Sequence, residues 1–298
     1  IKDGVIIVLA SKNNEKDVWE VFKKHTSMIL KKKDVVAWKI NWNEKHLNIK
    51  QIALDLNLSL NSFVFWDDNP IEREKVKKMI PEIYTIDVPC EIIEWKKKIR
   101  SLDCFLKLTI TKDDTRKKIL YQNRAKFVRD VSLTSNLNEY LKSIKLDPSS
   151  HKFNNANILR AEQLCLKTNQ FNLRSIRYSS KELEEISKKN TNLCFLTNLK
   201  DIYGDHGIVG LCCIKILDKK TAFLDTMLMS CRVMGRHLES WMLKECLIRS
   251  KNCGYEHLIA EFIPSEKNSV AKNFLMDHNF KILKTPSDIL NKIYTNSI

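Results

Sequence analysis

The sequence predicts an α/β protein with two mixed domains and a helical segment between them, spanning residues 1–97, 98–149 and 150–298. Short apolar runs alternate with helical segments in the first part, which is typical of a parallel sheet with flanking helices. Apolar runs of strand type return after residue 150, where glycines mark a turn. A length of 298 residues also suits about two domains.

The composition favours a globular protein that works in a reducing cytoplasm. Nine cysteines are scattered without a C-x-x-C pair, and 43% of the residues are hydrophobic. No apolar run reaches the roughly 18 residues of a membrane span, so we expect no membrane partner. The net charge of +15 is spread along the chain without a nucleic-acid-binding motif, so we expect no nucleic acid. Such a surface would attract an acidic partner protein.

The first predicted strand covers residues 4–10 and ends at Ser11. Because Ile1 is not Met and the strand begins almost at once, we expect the chain to be the C-terminal part of a longer protein. A serine hydroxyl at a strand end, beside the start of a helix, can hold a phosphate oxygen. Ser11 could equally be part of a turn, which is the commoner role of serine there.

A second candidate phosphate ligand is Lys45, which begins a predicted helix that runs to about Leu56. An ammonium group at this position could reach a phosphate at the sheet edge. Most lysines at such a position are solvated instead.

Two adjacent carboxylates, Asp67 and Asp68, follow the apolar run 63–66, which predicts a buried strand. Asn69 and Pro70 end that strand, and residues 71–80 predict a helix before a short strand at 83–88. Ligands of open α/β sheets bind at the carboxyl ends of strands. Mg²⁺ often takes one or two carboxylates and keeps several waters, so the pair predicts a magnesium site. The alternative is a helix-capping aspartate beside a solvated one.

The third region contains a strand, a loop with Gly and Arg, and then a helix. A strand at 222–229 leads into Arg232, Gly235 and Arg236, and a helix follows at 238–249. Backbone N–H groups and the helix dipole make such a turn a candidate anion site. The alternative is an ordinary turn with solvated arginines.

The residues Ser11, Lys45, Asp67 and Asp68 resemble the later motifs of the haloacid dehalogenase (HAD) superfamily. The strings 11–14, 40–49 and 67–74 more specifically resemble the FkbH-like family. By that resemblance, Ser11 and Lys45 bind phosphate in a partial HAD-like parallel sheet, and Asp67 and Asp68 serve a Mg²⁺ site. The HAD nucleophile motif, Asp-x-Asp, would lie upstream of residue 1. Ala10 is a second departure, since many relatives carry Cys there.

The string from Arg232 to His237 resembles the pyrophosphate loop of the GNAT-type acyltransferase fold, and the string from Asn268 resembles a later GNAT helix. The resemblance implies that Arg232, Gly235, Arg236 and Asn268 bind coenzyme A or phosphopantetheine. His237 departs from the small residue of that motif. Leu275 stands where many GNAT enzymes carry a tyrosine as general acid. The strings 168–173 and 225–236 again resemble FkbH-like proteins, which join both domain types.

The FkbH-like resemblance implies an enzyme that takes a glyceryl unit from 1,3-bisphosphoglycerate, a phosphorylated small molecule. The unit is loaded onto the phosphopantetheine thiol of an acyl carrier protein, and phosphate is released. Two alternatives stay open. One is a HAD phosphatase fused to a coenzyme A-dependent N-acyltransferase, and the other is a non-catalytic fragment that binds a carrier protein.

Overall fold

A computed structural model describes residues 4–106, 112–188, 193–283 and 292–297 of the chain. The chain divides into a first unit, residues 1–134, and a second unit, residues 135–298. Both units mix helices and strands, so the predicted α/β class is confirmed. Among the described residues, no helix is long and apolar enough to cross a membrane.

The first unit is built from four short strands and five helices among its described residues. The strands are β1 (Ile7–Ser11), β2 (Val35–Ile40), β3 (Val64–Phe65) and β4 (Tyr84–Thr85), and the helices are α1 (Glu15–Lys24), α2 (Lys45–Leu56), α3 (Pro70–Met79), α4 (Ile92–Arg100) and α5 (Lys112–Ser132). β1 pairs with β2 and β3 pairs with β4, both in parallel. The predicted parallel arrangement is therefore present, as two separate two-stranded sheets.

Two predicted strands are shorter in the structure than the sequence indicated. Of the apolar run 63–66 only Val64 and Phe65 form β3, and of 83–88 only Tyr84 and Thr85 form β4. The flanking residues lie outside the assigned strands: Trp66 packs with Ile86 and Val88 in a core cluster, whereas the Phe63 carbonyl and the Ile86 N–H each make one backbone bond to the opposite strand. An apolar run indicates that its side chains are buried, but a residue can be buried without belonging to a strand.

Helix α5 belongs to the first unit, although the sequence placed it in a linker at 98–149. Tyr121 of α5 packs with Val36, Ile52 and Leu56 in one core cluster. Gln122 Nε2 donates to the Val35 carbonyl at 3.2 Å. The predicted linker is thus divided between the two units, because its long helix covers β2 and α2 while its last residues join the second sheet.

The second unit contains one mixed sheet with helices on both of its faces. Its strands are β5 (Asp147–His151), β6 (Phe171–Asn172), β7 (Leu193–Asp201), β8 (Gly204–Ile216), β9 (Thr221–Met229), β10 (His257–Phe262), β11 (Lys281–Ile282) and β12 (Lys292–Ser297). Its helices are α6 (Leu137–Ser143), α7 (Ile158–Lys167), α8 (Ser180–Lys188), α9 (Leu238–Asn252) and α10 (Phe274–Asp277). The strand order is β11-β12-β10-β9-β8-β7-β5, and β6 adds to β9.

Alternate residues of this sheet pack into two cores. Met227 and Met229 contact the α9 side, whereas Leu228 contacts the α7 and α8 side. The period of two is that of a strand buried on both faces, which explains the continuous apolar run in the sequence. β9 and β10 pair in parallel and are connected by α9, as in a βαβ unit.

Candidate functional site

The loops that follow β1, β2 and β3 meet through one lysine. Lys12 Nζ lies 3.2 Å from Glu44 Oε2 and 2.8 Å from Glu72 Oε1. Glu44 precedes α2, and Glu72 lies in the first turn of α3. One side chain therefore holds three loops at the carboxyl ends of the strands, where parallel sheets bind ligands.

Within this edge the structure joins two of the predicted site residues. Lys45 Nζ lies 2.7 Å from Asp67 Oδ2, and the two side chains are only 13% and 5% exposed. The other oxygen, Asp67 Oδ1, accepts the Asn69 N–H at 3.0 Å. A buried carboxylate is expensive unless it is paired and hydrogen-bonded, and Asp67 has both kinds of partner. We call Ser11, Lys12, Lys45, Asp67 and Asp68 the strand-end cluster.

The other two predicted residues of the first unit lie at this edge without a described bond to Lys45. Ser11 is the last residue of β1, and its carbonyl accepts the Asn41 N–H at 3.0 Å. Asp68 has an exposed side chain, and its carbonyl accepts Arg73 Nη1 at 2.9 Å. These bonds fix the backbone of both residues, and among the described contacts the structure brings together only Lys45 and Asp67 of the four predicted side chains.

The donor set at this edge can be tested against the predicted magnesium ion. Across the described residues, no group of three or more His, Cys, Asp or Glu side chains could hold a metal. Asp67 and Asp68 still provide two carboxylates, the number of protein ligands that Mg²⁺ commonly takes with waters. The donor chemistry fits the ion to that extent, and Lys45 already supplies one positive charge beside Asp67.

Sequence reasoning missed how much of this edge depends on acidic residues outside the Asp67–Asp68 pair. Glu44 also accepts from Lys75 Nζ at 2.7 Å, so it links two lysines. The hydrogen bonds from Lys75 and Lys12 hold the pKa of Glu44 below its usual value. The available signal was positional: Glu44 and Glu72 each lie at the start of the helix that follows a strand.

In the second unit, the predicted cofactor-binding arginines face the protein interior. Arg232 Nη2 donates to the His206 carbonyl at 2.8 Å. Arg236 is 1% exposed, and its Nε lies 2.8 Å from Asp201 Oδ2. His206 Nε2 lies 2.9 Å from Asp201 Oδ1. These charges therefore join the β9–α9 loop to β7 and β8.

The ionic group around Asp201 is consistent with an internal role. Burial alone would raise the pKa of Asp201, but His206 and Arg236 outweigh burial and lower it. Burial lowers the pKa of Arg236 itself. The Asp201 carboxylate opposes this effect, because it stabilises the charged guanidinium.

The remaining two predicted residues differ in exposure. Asn268 is fully buried, and its Nδ2 donates to the carbonyls of Asn172 and Ile263 at 2.9 Å. Gly235 is exposed at φ +86°, a left-handed conformation that favours glycine. His237, also exposed, precedes α9 at φ +55°. The exposed surface of this turn therefore consists of backbone groups and an imidazole, whereas its two arginines bind partners in the protein interior.

A second polar cluster in this unit surrounds Asp225, an extra residue in β9. Cys213 pairs with Thr226 and Ile214 with Leu224, which leaves Asp225 as a β-bulge. Bulges redirect side chains and often lie beside functional sites.

Four side chains donate hydrogen bonds to the Asp225 carboxylate. The donors and their distances are Arg174 Nη1 at 2.6 Å, Tyr178 Oη at 2.8 Å, Lys215 Nζ at 2.9 Å and Thr226 Oγ1 at 3.0 Å. Burial would raise the pKa of Asp225, but the bonds from Lys215 and Tyr178 lower it overall. Burial and the neighbouring Asp225 raise the pKa of Tyr178. Sequence reasoning missed Arg174, Tyr178 and Lys215, because a bulge leaves no mark in the apolar pattern.

The chain is similar in part to proteins of known structure. No protein-family model matches it, and no curated protein matches it either. Solved structures do. The N-terminal part of a Bacteroides fragilis protein that contains a phosphatase domain, determined in complex with Mg, is 33% identical over 36% of this chain, with a TM-score of 0.35. This chain covers 28% of the chain in that structure.

Other similar structures are acetyltransferases. A Desulfovibrio desulfuricans protein assigned to the GNAT family is 13% identical over 51% of this chain and 98% of its own, with a TM-score of 0.42. The N-acetylglutamate synthase of Neisseria gonorrhoeae, complexed with coenzyme A and N-acetyl-glutamate, is 11% identical over 51% of this chain and 35% of its own, with a TM-score of 0.39.

Proposed function

We propose that the first unit binds a phosphorylated small molecule at the strand-end cluster. We further propose that the chain serves the transfer of a glyceryl unit from 1,3-bisphosphoglycerate to the phosphopantetheine thiol of an acyl carrier protein. The observation that carries this proposal is the pair of Lys45 and Asp67, 2.7 Å apart at the ends of the strands. The resemblance of this cluster to FkbH-like motifs supplies the substrate class.

The chemistry of the proposed step needs positive charge where phosphate leaves. The thiol sulfur attacks the carbonyl carbon of the acyl phosphate, a C–S bond forms, and the C–O bond to phosphate breaks. Phosphate departs with the bonding electron pair, and the thiol proton passes to solvent. In this proposal Lys45 neutralises charge on the leaving phosphate, and the Ser11 hydroxyl donates a hydrogen bond to one of its oxygens.

The pairing with Asp67 also fixes the orientation of the Lys45 ammonium group. Because the carboxylate holds the ammonium at 2.7 Å, the lysine is oriented before a substrate arrives. Asp67 and Asp68 are the residues that would hold Mg²⁺, and the ion would supply further positive charge beside the phosphate. The net charge of +15 favours encounter with an acidic partner, which suits an acyl carrier protein.

The test mixes the chain with 1,3-bisphosphoglycerate, Mg²⁺ and a carrier protein that bears phosphopantetheine. We expect intact-mass spectrometry to show the gain of one glyceryl unit on the carrier. Lys45→Ala should abolish the gain, whereas Lys50→Ala, which removes a lysine from the same helix α2, should not. No gain with the unmodified chain would refute glyceryl transfer, and phosphate release without a gain would indicate a phosphatase instead.

A further inference from the structure

The parallel strands β9 and β10 stop pairing part of the way along their length. The last of their paired residues are Leu224 and Ala260. Strands that separate leave main-chain donors and acceptors on two facing edges, which must find other partners. We call the opening beyond Leu224 and Ala260 the slot. An elongated ligand that carries amides, such as a pantetheine arm, can add to a free strand edge of this kind.

The main chain of a segment from the α7–α8 connection fills this slot. Phe171 and Asn172 form β6, which pairs antiparallel with Met229 and Leu228 of β9. The next residue, Leu173, donates its N–H to the Met227 carbonyl at 3.2 Å. Its own carbonyl accepts the Ile263 N–H, just past β10, at 2.8 Å. The segment therefore bonds to both sides of the slot.

The side chain of Arg174 closes the point where the strands separate. The first residues beyond the paired region are Asp225 and Glu261. Arg174 Nη1 donates to Asp225 Oδ1 at 2.6 Å and to the Asp225 carbonyl at 3.0 Å. Arg174 Nε donates to Glu261 Oε2 at 2.7 Å. One guanidinium thus connects β9 to β10 and neutralises two carboxylates that would otherwise repel each other.

The segment is part of the core and not a loop resting on it. Phe171, Asn172 and Leu173 are all buried, and Leu173 is 0% exposed. The Phe171 ring packs edge-on against Phe274, with centroids 5.0 Å apart. The Asn172 carbonyl accepts from Asn268 Nδ2 at 2.9 Å. Removing the segment would open a large apolar cavity and leave several buried polar groups without hydrogen-bond partners. We therefore expect the segment to stay in place when ligands bind.

We propose that residues 171–174 are a resident strand that permanently occupies the slot, so that no pantetheine arm lies between β9 and β10. Coenzyme A or carrier-bound pantetheine that binds the second unit therefore does so outside this slot. The proposal does not depend on glyceryl transfer, since the slot is filled whatever reaction the chain serves.

The test is hydrogen exchange of the whole chain, followed at single amides by NMR, with and without coenzyme A at millimolar concentration. We expect the amides of Leu173 and Ile263 to exchange on the order of 10³-fold or more slowly than free peptides, because both are bonded and buried. We expect these rates to be unchanged by coenzyme A, whether or not calorimetry detects binding. Unchanged rates with detected binding would place the ligand outside the slot.

A faster exchange of the Leu173 amide on addition of coenzyme A would overturn the proposal, as would exchange at the free-peptide rate without ligand. A matched pair of variants tests the connection that Arg174 makes between β9 and β10. Arg174→Gln should speed exchange at Leu173 and Ile263 by about tenfold or more, since it removes both ion pairs. Lys181→Gln, which removes an exposed cation on α8, should leave both rates unchanged. Equal rates in the two variants would contradict the role given to Arg174.

Discussion

Replacing Arg236 with Met tests whether this arginine stabilises the second unit or serves to bind a ligand. The side chains of Arg236 and Asp201 are both 0% exposed, and their Nε and Oδ2 atoms are 2.8 Å apart. Removing one partner of a buried pair typically costs about 3–5 kcal/mol, because the other charge stays buried. His206 Nε2 remains 2.9 Å from Asp201 Oδ1, so we expect the lower end, about 3 kcal/mol.

The pH dependence of this loss has a definite sign. The pKa of Asp201 is lowered in the folded chain, so its ionised form stabilises the fold above the unfolded pKa of about 3.9. That contribution is lost as pH falls through the lowered folded pKa. The difference in the free energy of unfolding between Arg236→Met and the parent should therefore have its full size at pH 5 and above, and should become smaller below about pH 4.

The assay is hydrogen exchange at the buried β8 amides of Leu211 and Cys212, which report the second unit separately from the first. The double variant Asp201→Asn/Arg236→Met should recover part of the loss, because no unpaired carboxylate remains. Lys219→Met, an exposed cation of the same unit, is the control and should change stability by less than about 0.5 kcal/mol. If Arg236→Met matches this control in stability but weakens coenzyme A binding, the structural role is refuted.

Three further predictions follow from pairs and thiols elsewhere in the chain. Lys45→Met should destabilise the first unit by about 1–3 kcal/mol in hydrogen exchange, because Asp67 loses its cation; no loss would mean that water solvates the carboxylate. The exposed thiol of Cys90 should react with iodoacetamide at least about 100-fold faster than that of Cys165, since burial raises the pKa of Cys165 to about 11; equal rates by peptide mapping would contradict this. Burial opposes protonation of Lys215, but its hydrogen bond to the β9 carboxylate outweighs burial and raises its pKa. The stabilisation of the fold by charged Lys215 is therefore complete below pH 10.5 and is lost as pH rises through the folded pKa. A thermal stability that stays flat across pH 9–12 would refute this prediction.

The site in the first unit was predictable because it depends on chain order. Residues that follow parallel strands are expected at one sheet edge, so Lys45 and Asp67 could be predicted together without knowing the distances. In the structure they follow strands of two separate sheets, β2 and β3, and still lie 2.7 Å apart. The extent of pairing was not predictable. An apolar run of four residues in 63–66 has two residues in β3: Trp66 packs in a core cluster outside the strand, and Phe63 contributes only its carbonyl, which accepts the Tyr84 N–H at 3.2 Å.

The second unit shows where sequence patterns stop being informative. The string from Arg232 to His237 indicates a strand, a turn and a helix, and all three are present. Whether an arginine of that turn faces solvent depends on what lies behind it. Asp201 is 35 positions earlier and reaches Arg236 only because β7 and β8 bring it there. No local pattern encodes such a partner, and the same holds for Arg174 and Glu261, which are 87 positions apart.

Each unit contains a buried carboxylate paired with a cation, which decides how mutations should be interpreted. In the first unit Lys45 and Asp67 lie at the ends of strands, and their side chains are 13% and 5% exposed. In the second unit the guanidinium of Arg236 and the carboxylate of Asp201 are removed from solvent, so any ligand would first have to break a buried pair. Loss of activity in Lys45→Ala or in Arg236→Ala must therefore be corrected for unfolding before it says anything about chemistry or binding, because each variant leaves a buried carboxylate without its cation. Measuring stability and activity on the same variants separates the two cases.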